Sequence, residues 1–199
     1  METPDTIVQF WFGDSDDDAT VASHCAGLWW SKNPELDRSI RERFEPAVQA
    51  VAAGELDHWR ASSEGWLALI ILTDQFPRNI YRGTPDALRY DPIARQLCEE
   101  GLAAAVDQQL RPIQRVFFYL PLEHSENRAH QVRSVALFRE LAASAPAGAQ
   151  AVFDRFQDFA RRHKAVVDRF GRFPHRNEIL GRPSTQEEIA FLREPGSSF

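Results

Sequence analysis

The sequence predicts an all-α protein, on three observations. No segment alternates apolar and polar residues at the period of a β-strand. A capping side chain followed directly by proline, the mark of a helix start, recurs at Thr3-Pro4, Asn33-Pro34, Thr84-Pro85 and Asp91-Pro92. Between these starts, apolar residues return every three or four positions, as on the buried stripe of a helix.

The first helix is expected from Pro4 to Phe12, burying Ile7, Val8, Trp11 and Phe10, with Gly13 as its end. The acidic run Asp14 to Asp18 reads as a solvated loop, and Trp29 and Trp30 as core anchors of the connection that follows. A second helix runs from Pro34 to Ala53 with Leu36, Ile40, Phe44, Val48 and Val51 on one face and Gly54 as terminator. A third, about Glu64 to Gln75, is apolar almost all round and therefore central; Pro77 ends it at Asp74-Gln75-Phe76-Pro77-Arg78-Asn79. A short helix at Pro85, a long one from Pro92 to Val106 and a short one from Pro112 to Tyr119, stopped by Pro121, come next. Glu126 to Ser144 follows with Val132, Val135, Ala136 and Leu141 inward, then a loop at Ala145 to Gly148. In the helix from about Ala149 to Phe170, residues Val152, Phe156, Phe159, His163, Val166 and Phe170 form the stripe, placing His163 toward the core. Ser184-Thr185-Gln186-Glu187 reads as a capping box opening a last helix to about Arg193.

Composition narrows the function classes. With 199 residues and 43% apolar content the chain supports one domain over 1–199, with no composition break to divide it. The N-terminus lacks the basic and apolar regions of a secretory signal, and no apolar run reaches membrane-spanning length. Cys25 and Cys98 are too few and too far apart for a disulfide framework. A cytoplasmic protein without membrane association is the expectation. The net charge of −6 argues against nucleic-acid binding, so aromatics near arginines, such as Tyr81, Phe170 and Phe173, are read as core.

Three blocks carry a resemblance. They are Asp74-Gln75-Phe76-Pro77-Arg78-Asn79-Ile80-Tyr81-Arg82-Gly83, Tyr119-Leu120-Pro121-Leu122-Glu123-His124-Ser125-Glu126, and Arg169 to Arg182 with Ser184-Thr185. Together they resemble the bacterial family known as domain of unknown function nine-two-four, over nearly the whole chain. The resemblance implies an all-helical, tetratricopeptide-like array of antiparallel helices, and it implies no catalytic residue, substrate or cofactor. Asn127-Arg128 departs from the acidic or aliphatic pair expected after the His-Ser-Glu block.

The candidate chemistry gathers in the segment Arg169 to Arg182, which sets four arginines and His175 against one glutamate in an acidic protein. Arg78, Arg82, Arg169, Arg172, Arg176 and Arg182 offer the forked donors that suit a carboxylate or phosphate. The two Phe-Pro segments, at Phe76 and Phe173, are expected to meet in one anion-binding cleft. Asp74, Asn79, Glu126, His163 and Asn177 are its further ligand-binding candidates, and His124 and His175 its candidate general acid or base. The competing reading is architectural: each arginine pairs with an acid, and Asp74 forms a buried ion pair. No metal site is expected, because His124 and Glu126 do not share a helical face and no His-Glu-x-x-His occurs. A Ser125-centred triad lacks a nucleophile elbow. A small anionic molecule is the expected ligand; the alternative is a tetratricopeptide-like module that holds a protein or peptide without catalysis.

Overall fold

Pro4–Phe12 (α1) begins on Thr3, whose hydroxyl accepts from the Thr6 N–H while Thr6 reciprocates, and it ends on Gly13 at φ 68°. In the computed structural model, which describes residues 2–146 and 148–197, every regular element is helical. Ten further α-helices follow: Asp18–His24 (α2), Ala26–Trp30 (α3), Pro34–Ala52 (α4), Ser63–Ile70 (α5), Phe76–Ile80 (α6), Asp91–Ala103 (α7), Pro112–Glu123 (α8), Arg128–Ala143 (α9), Gln150–Phe170 (α10) and Gln186–Phe191 (α11). The chain forms one compact all-α domain, with a continuous core running from Ile7 to Ala160. The tetratricopeptide-like arrangement stays with the resemblance alone. No helix among the described residues is long and apolar enough to cross a membrane.

α5 is central, as its composition predicts: Leu67 to Ile70 are buried, and α1, α7 and α8 pack around it. Beside it an aromatic nucleus joins four elements, with Trp11 lying 5.4 Å from Phe76 and 5.6 Å from Phe117, and Phe44 stacked 4.5 Å from Phe76. Such edge and offset contacts add about 0.5–1.5 kcal/mol per pair to the area they bury. Trp29 joins this nucleus and donates to the Trp11 carbonyl, whereas Trp30, expected as a second anchor, is 53% exposed.

Both prolines expected to stop helices fail to do so, and each failure builds the site. Ahead of Pro77 the α5 backbone widens into a π turn, Ile71–Gln75, in which Phe76 N–H reaches back to Ile71. The extra residue lets the chain pass the proline, which cannot donate and would clash with the preceding turn of a regular α-helix. α6 then continues to Ile80. Pro121 likewise sits inside α8, which extends to Glu123 rather than ending near Tyr119.

Several side chains expected as caps or inward residues do other work. Asp91 does not cap α7, because its carboxylate faces Arg78; Thr84 makes no capping bond either. The acidic run is only partly solvated: Asp17 caps α2, and buried Asp18 accepts from Arg111 and from Ile113 N–H. On α9 the buried face is turned by one residue, so Gln131 and Ser134 are inside while Val132 is 57% exposed. Gln131 is inside because its amide donates to the Glu123 and Ser125 carbonyls at the end of α8. The α10 stripe is also shifted: Phe153, Ala160, His163, Val166 and Val167 are buried, and Phe159 is 44% exposed. The last capping box lies one residue later than expected, from Thr185 to Glu188. The expected loop at 145–148 includes residue 147, which lies outside the described residues.

Candidate functional site

Asp74 lies in the π turn and is fully buried. Its Oδ1 is 2.9 Å from His124 Nδ1 and 3.5 Å from Arg78 Nη1, and its Oδ2 accepts from the Gln75 amide at 2.5 Å. Burial would raise the carboxyl pKa, but the charges of Arg78 and His124 and the hydrogen bonds from His124 and Gln75 outweigh it and hold it at about 2. An ionised carboxylate only accepts, so the His124 nitrogen facing it carries the proton. Burial, and then the Arg78 charge, hold the His124 pKa below its ordinary value. The ring is therefore neutral near pH 7 with its lone pair on Nε2, the arrangement that a carboxylate-oriented base requires.

Arg78, one α-helical turn beyond Asp74, grips Asp91 with both terminal nitrogens at 3.0 and 3.2 Å, and it also donates to the Asp74 carbonyl. One guanidinium thus serves two carboxylates. Its side chain is 22% exposed and that of His124 16%, so the cluster reaches solvent at this end.

A second pair lies deeper. His163 Nδ1 is 2.9 Å from the Phe159 carbonyl and 3.1 Å from Glu123 Oε1, so one N–H is shared between them. This is not an ion pair. Burial, with the Asp74 charge behind it, raises the Glu123 pKa to about 8, and burial holds His163 well below its usual value. The other Glu123 oxygen, Oε2, is buried without a hydrogen-bond partner among the described residues, which an acid tolerates far better than a carboxylate.

The basic segment closes over these helices. Gly171 ends α10 in the left-handed conformation at φ 70°, turning the chain back. Glu126, just beyond α8, then holds the segment at both ends: Oε1 accepts from Phe173 N–H at 2.8 Å, and Arg182 forks onto the carboxylate at 2.7 and 2.9 Å. Asn177 accepts from Arg182 and donates to Ser184. Phe173 is the hub: His163 lies 5.5 Å and His175 5.6 Å from its ring, and the Arg176 guanidinium sits 4.5 Å over it. Burial, and then the Arg176 charge, lower the His175 pKa to about 4.

Arg176 is the unusual member. It is only 8% exposed, yet its guanidinium makes no hydrogen bond or ion pair among the described residues. Burial, and then the nearby Arg78 charge, lower its pKa to about 10, which leaves it cationic near neutrality.

The fold therefore brings together Asp74, Arg78, His124, Glu126, His163, His175, Arg176, Asn177 and Arg182. Four other candidates are placed elsewhere, three in ion pairs and Asn79 in a hydrogen bond, contacts that a sequence cannot distinguish from a shared site. Asn79 and Arg82 both bind Asp37 of α4, at 2.9 Å and at 2.7 and 2.9 Å. Arg169 pairs with Glu187, and Arg172 forks onto Glu188 at 2.6 and 2.8 Å, which fastens α11. Glu123 and Asp91 were not among the sequence candidates. Glu123 falls on the stripe Ile113, Val116, Leu120, Glu123 at helical spacing, a signal hidden by treating Pro121 as a terminator. Two open clefts, about 510 Å³ beside Tyr81 and Tyr90 and about 290 Å³ beside Asp14 and Arg111, lie away from this cluster.

Residues 7–196 match the family described as bacterial protein of unknown function (DUF924). The chain is also similar to the solved structure of the protein of unknown function ATU0120 from Agrobacterium tumefaciens, at 37% identity and a TM-score of 0.81 over 96% of each chain. No curated protein matches. On a family match spanning all but the termini, the chain belongs to the DUF924 family of bacterial proteins.

Proposed function

We propose that the protein binds a small anion, phosphate- or carboxylate-bearing, between Arg176 and the Asp74–His124 pair, and that His124 Nε2 is the group that accepts a proton from it. The observation carrying this reading is the unpaired, buried Arg176 guanidinium. Net charge alone would not support it: Arg78, Arg176 and Arg182 face Asp74, Asp91 and Glu126. What singles out Arg176 is bonding. The three carboxylates are already engaged by Arg78, His124, Gln75 and Arg182, while one five-donor fork is left without an acceptor. A largely buried guanidinium without a hydrogen-bond acceptor is a net cost to the fold, reduced but not removed by the nearby carboxylate charges. A ligand carboxylate or phosphoryl oxygen pair supplies the missing acceptors.

The alternative, a peptide-holding helical module, finds less support. The exposed large apolar side chains Trp30, Val132, Phe159, Leu180 and Ile189 are spread over several elements, and none lines either open cleft.

Thermal unfolding at constant ionic strength tests the proposal, with acetate, inorganic phosphate and sulfate as probes. The wild-type Tm should rise with at least one of them, following mass action. In Arg176→Met that rise should vanish, while the Tm without anion stays level or increases because an unpaired buried charge has been removed. A rise that persists in Arg176→Met, or no rise with any anion, overturns the reading.

A further inference from the structure

Resting on the anion-binding reading above, we infer that the ligand group held by Arg176 is a monocarboxylate rather than a phosphate or another dianion. The inference comes from how the charges around Arg176 are already shared. Arg78 is one cation between two carboxylates, Asp91 at 3.0 Å and Asp74 at 3.5 Å, so that group carries a net negative charge. Glu126 and Arg182 cancel as a bidentate pair at 2.7 and 2.9 Å. Arg176 contributes the one remaining positive charge, and it lies within the electrostatic reach of Asp91, Glu126 and Asp74.

The six charges sum to zero before any ligand arrives. A monocarboxylate adds one negative charge and matches the planar fork with two parallel N–H···O bonds. A dianion adds two, beside Asp74 and Asp91, which already compete for one guanidinium. It also brings a third and fourth oxygen that need donors. His124 commits its Nδ1–H to Asp74, so its other ring nitrogen is an acceptor. His163 spends its Nδ1–H on Phe159 and Glu123. Phosphate sites are usually lined by backbone N–H groups at a helix N-terminus or by several cations free to share the charge. Here Arg176 is the last residue of a three-residue turn, Pro174–Arg176, and its cationic neighbours are taken.

The experiment measures affinities of acetate, sulfate and inorganic phosphate by calorimetry at pH 8 and matched ionic strength, where phosphate is mainly a dianion. Acetate should bind at least about tenfold tighter than either dianion, the scale of one extra repulsive charge at close range. In Asp91→Asn, which keeps one acceptor for Arg78 and removes a neighbouring negative charge, the gap should narrow mainly through tighter sulfate and phosphate binding. Arg176→Lys, which keeps the charge but loses the fork, should weaken acetate most and provides a second variant if Arg176→Met does not fold. Sulfate or phosphate binding as tightly as acetate overturns the monocarboxylate inference while leaving anion binding standing. Binding that Arg176→Met and Arg176→Lys leave unchanged sinks both.

Discussion

Asp74 Oδ1 and His124 Nδ1 meet at 2.9 Å although 50 residues separate them, joining the π turn ahead of Pro77 to the end of α8, which runs past Pro121. The π turn carries Asp74, and the extended end of α8 carries His124 as its C-cap. Replacing Asp74 with alanine leaves Arg78 with one carboxylate and His124 with no acceptor. We expect a loss of about 3–5 kcal/mol, the usual cost of breaking a buried charge pair. The urea midpoint should fall with the m-value unchanged.

The same carboxylate has a definite acid signature. Its folded pKa of about 2 lies below the ordinary value of 3.8, so its contribution is present above pH 4 and is lost as pH falls through about 2. His175, lowered to about 4, adds a loss that begins at the ordinary histidine value of 6.5 and is complete below about 4. From pH 7 down to 4 the wild type should therefore lose stability relative to His175→Asn, and below pH 4 both proteins should lose the Asp74 contribution.

Glu123 runs in the opposite direction. Its pKa is raised from 4.5 to about 8, so the unfolded chain gives up this proton first, and stability declines as pH rises between those values. Glu123→Gln keeps the shape without the charge and should lack this decline. Urea midpoints of the two proteins from pH 5 to 9 should diverge in favour of the variant and then run parallel above pH 8.

The tether at Glu126 is a separable feature. Glu126→Ala removes the acceptor of Phe173 N–H and both Arg182 bonds. The pair is partly exposed, so the expected loss is about 1–3 kcal/mol. Amide exchange at Phe173 should accelerate well before the core amides of α5 respond.

Gly65 is a purely steric test. A β-carbon there would meet the Trp59 carbonyl oxygen at 1.8 Å, a backbone contact that no rotamer change relieves. Gly65→Ala should cost about 3 kcal/mol or more, as overpacking against rigid backbone does. Thermal unfolding would show it.

Much of the fold was legible in the sequence because it is written locally. Thr3 and Asn33 cap the helices that their position before proline announces, and the α4 stripe through Ile40, Phe44 and Val48 is buried as spaced. Local chemistry misled where a distant partner outbid it: Asp91 looks like a cap until Arg78 claims it, and Pro121 looks like a stop until the core around α8 holds the helix through it. The inward turn of Gln131 in place of Val132 has the same origin, since the carbonyls it satisfies belong to another helix.

By itself, the sequence determined the helical class, most helix starts and the identity of the basic segment, because capping, proline geometry and apolar spacing act within a few residues. It also singled out Asp74, His124 and Arg176. Only the tertiary structure decided which charges are spent on one another. Arg82, Arg169 and Arg172 find carboxylates of their own, whereas Arg176 is buried beside Phe173 with its fork unmatched. Pairing depends on which surfaces the packed helices press together, and that is a property of the fold as a whole.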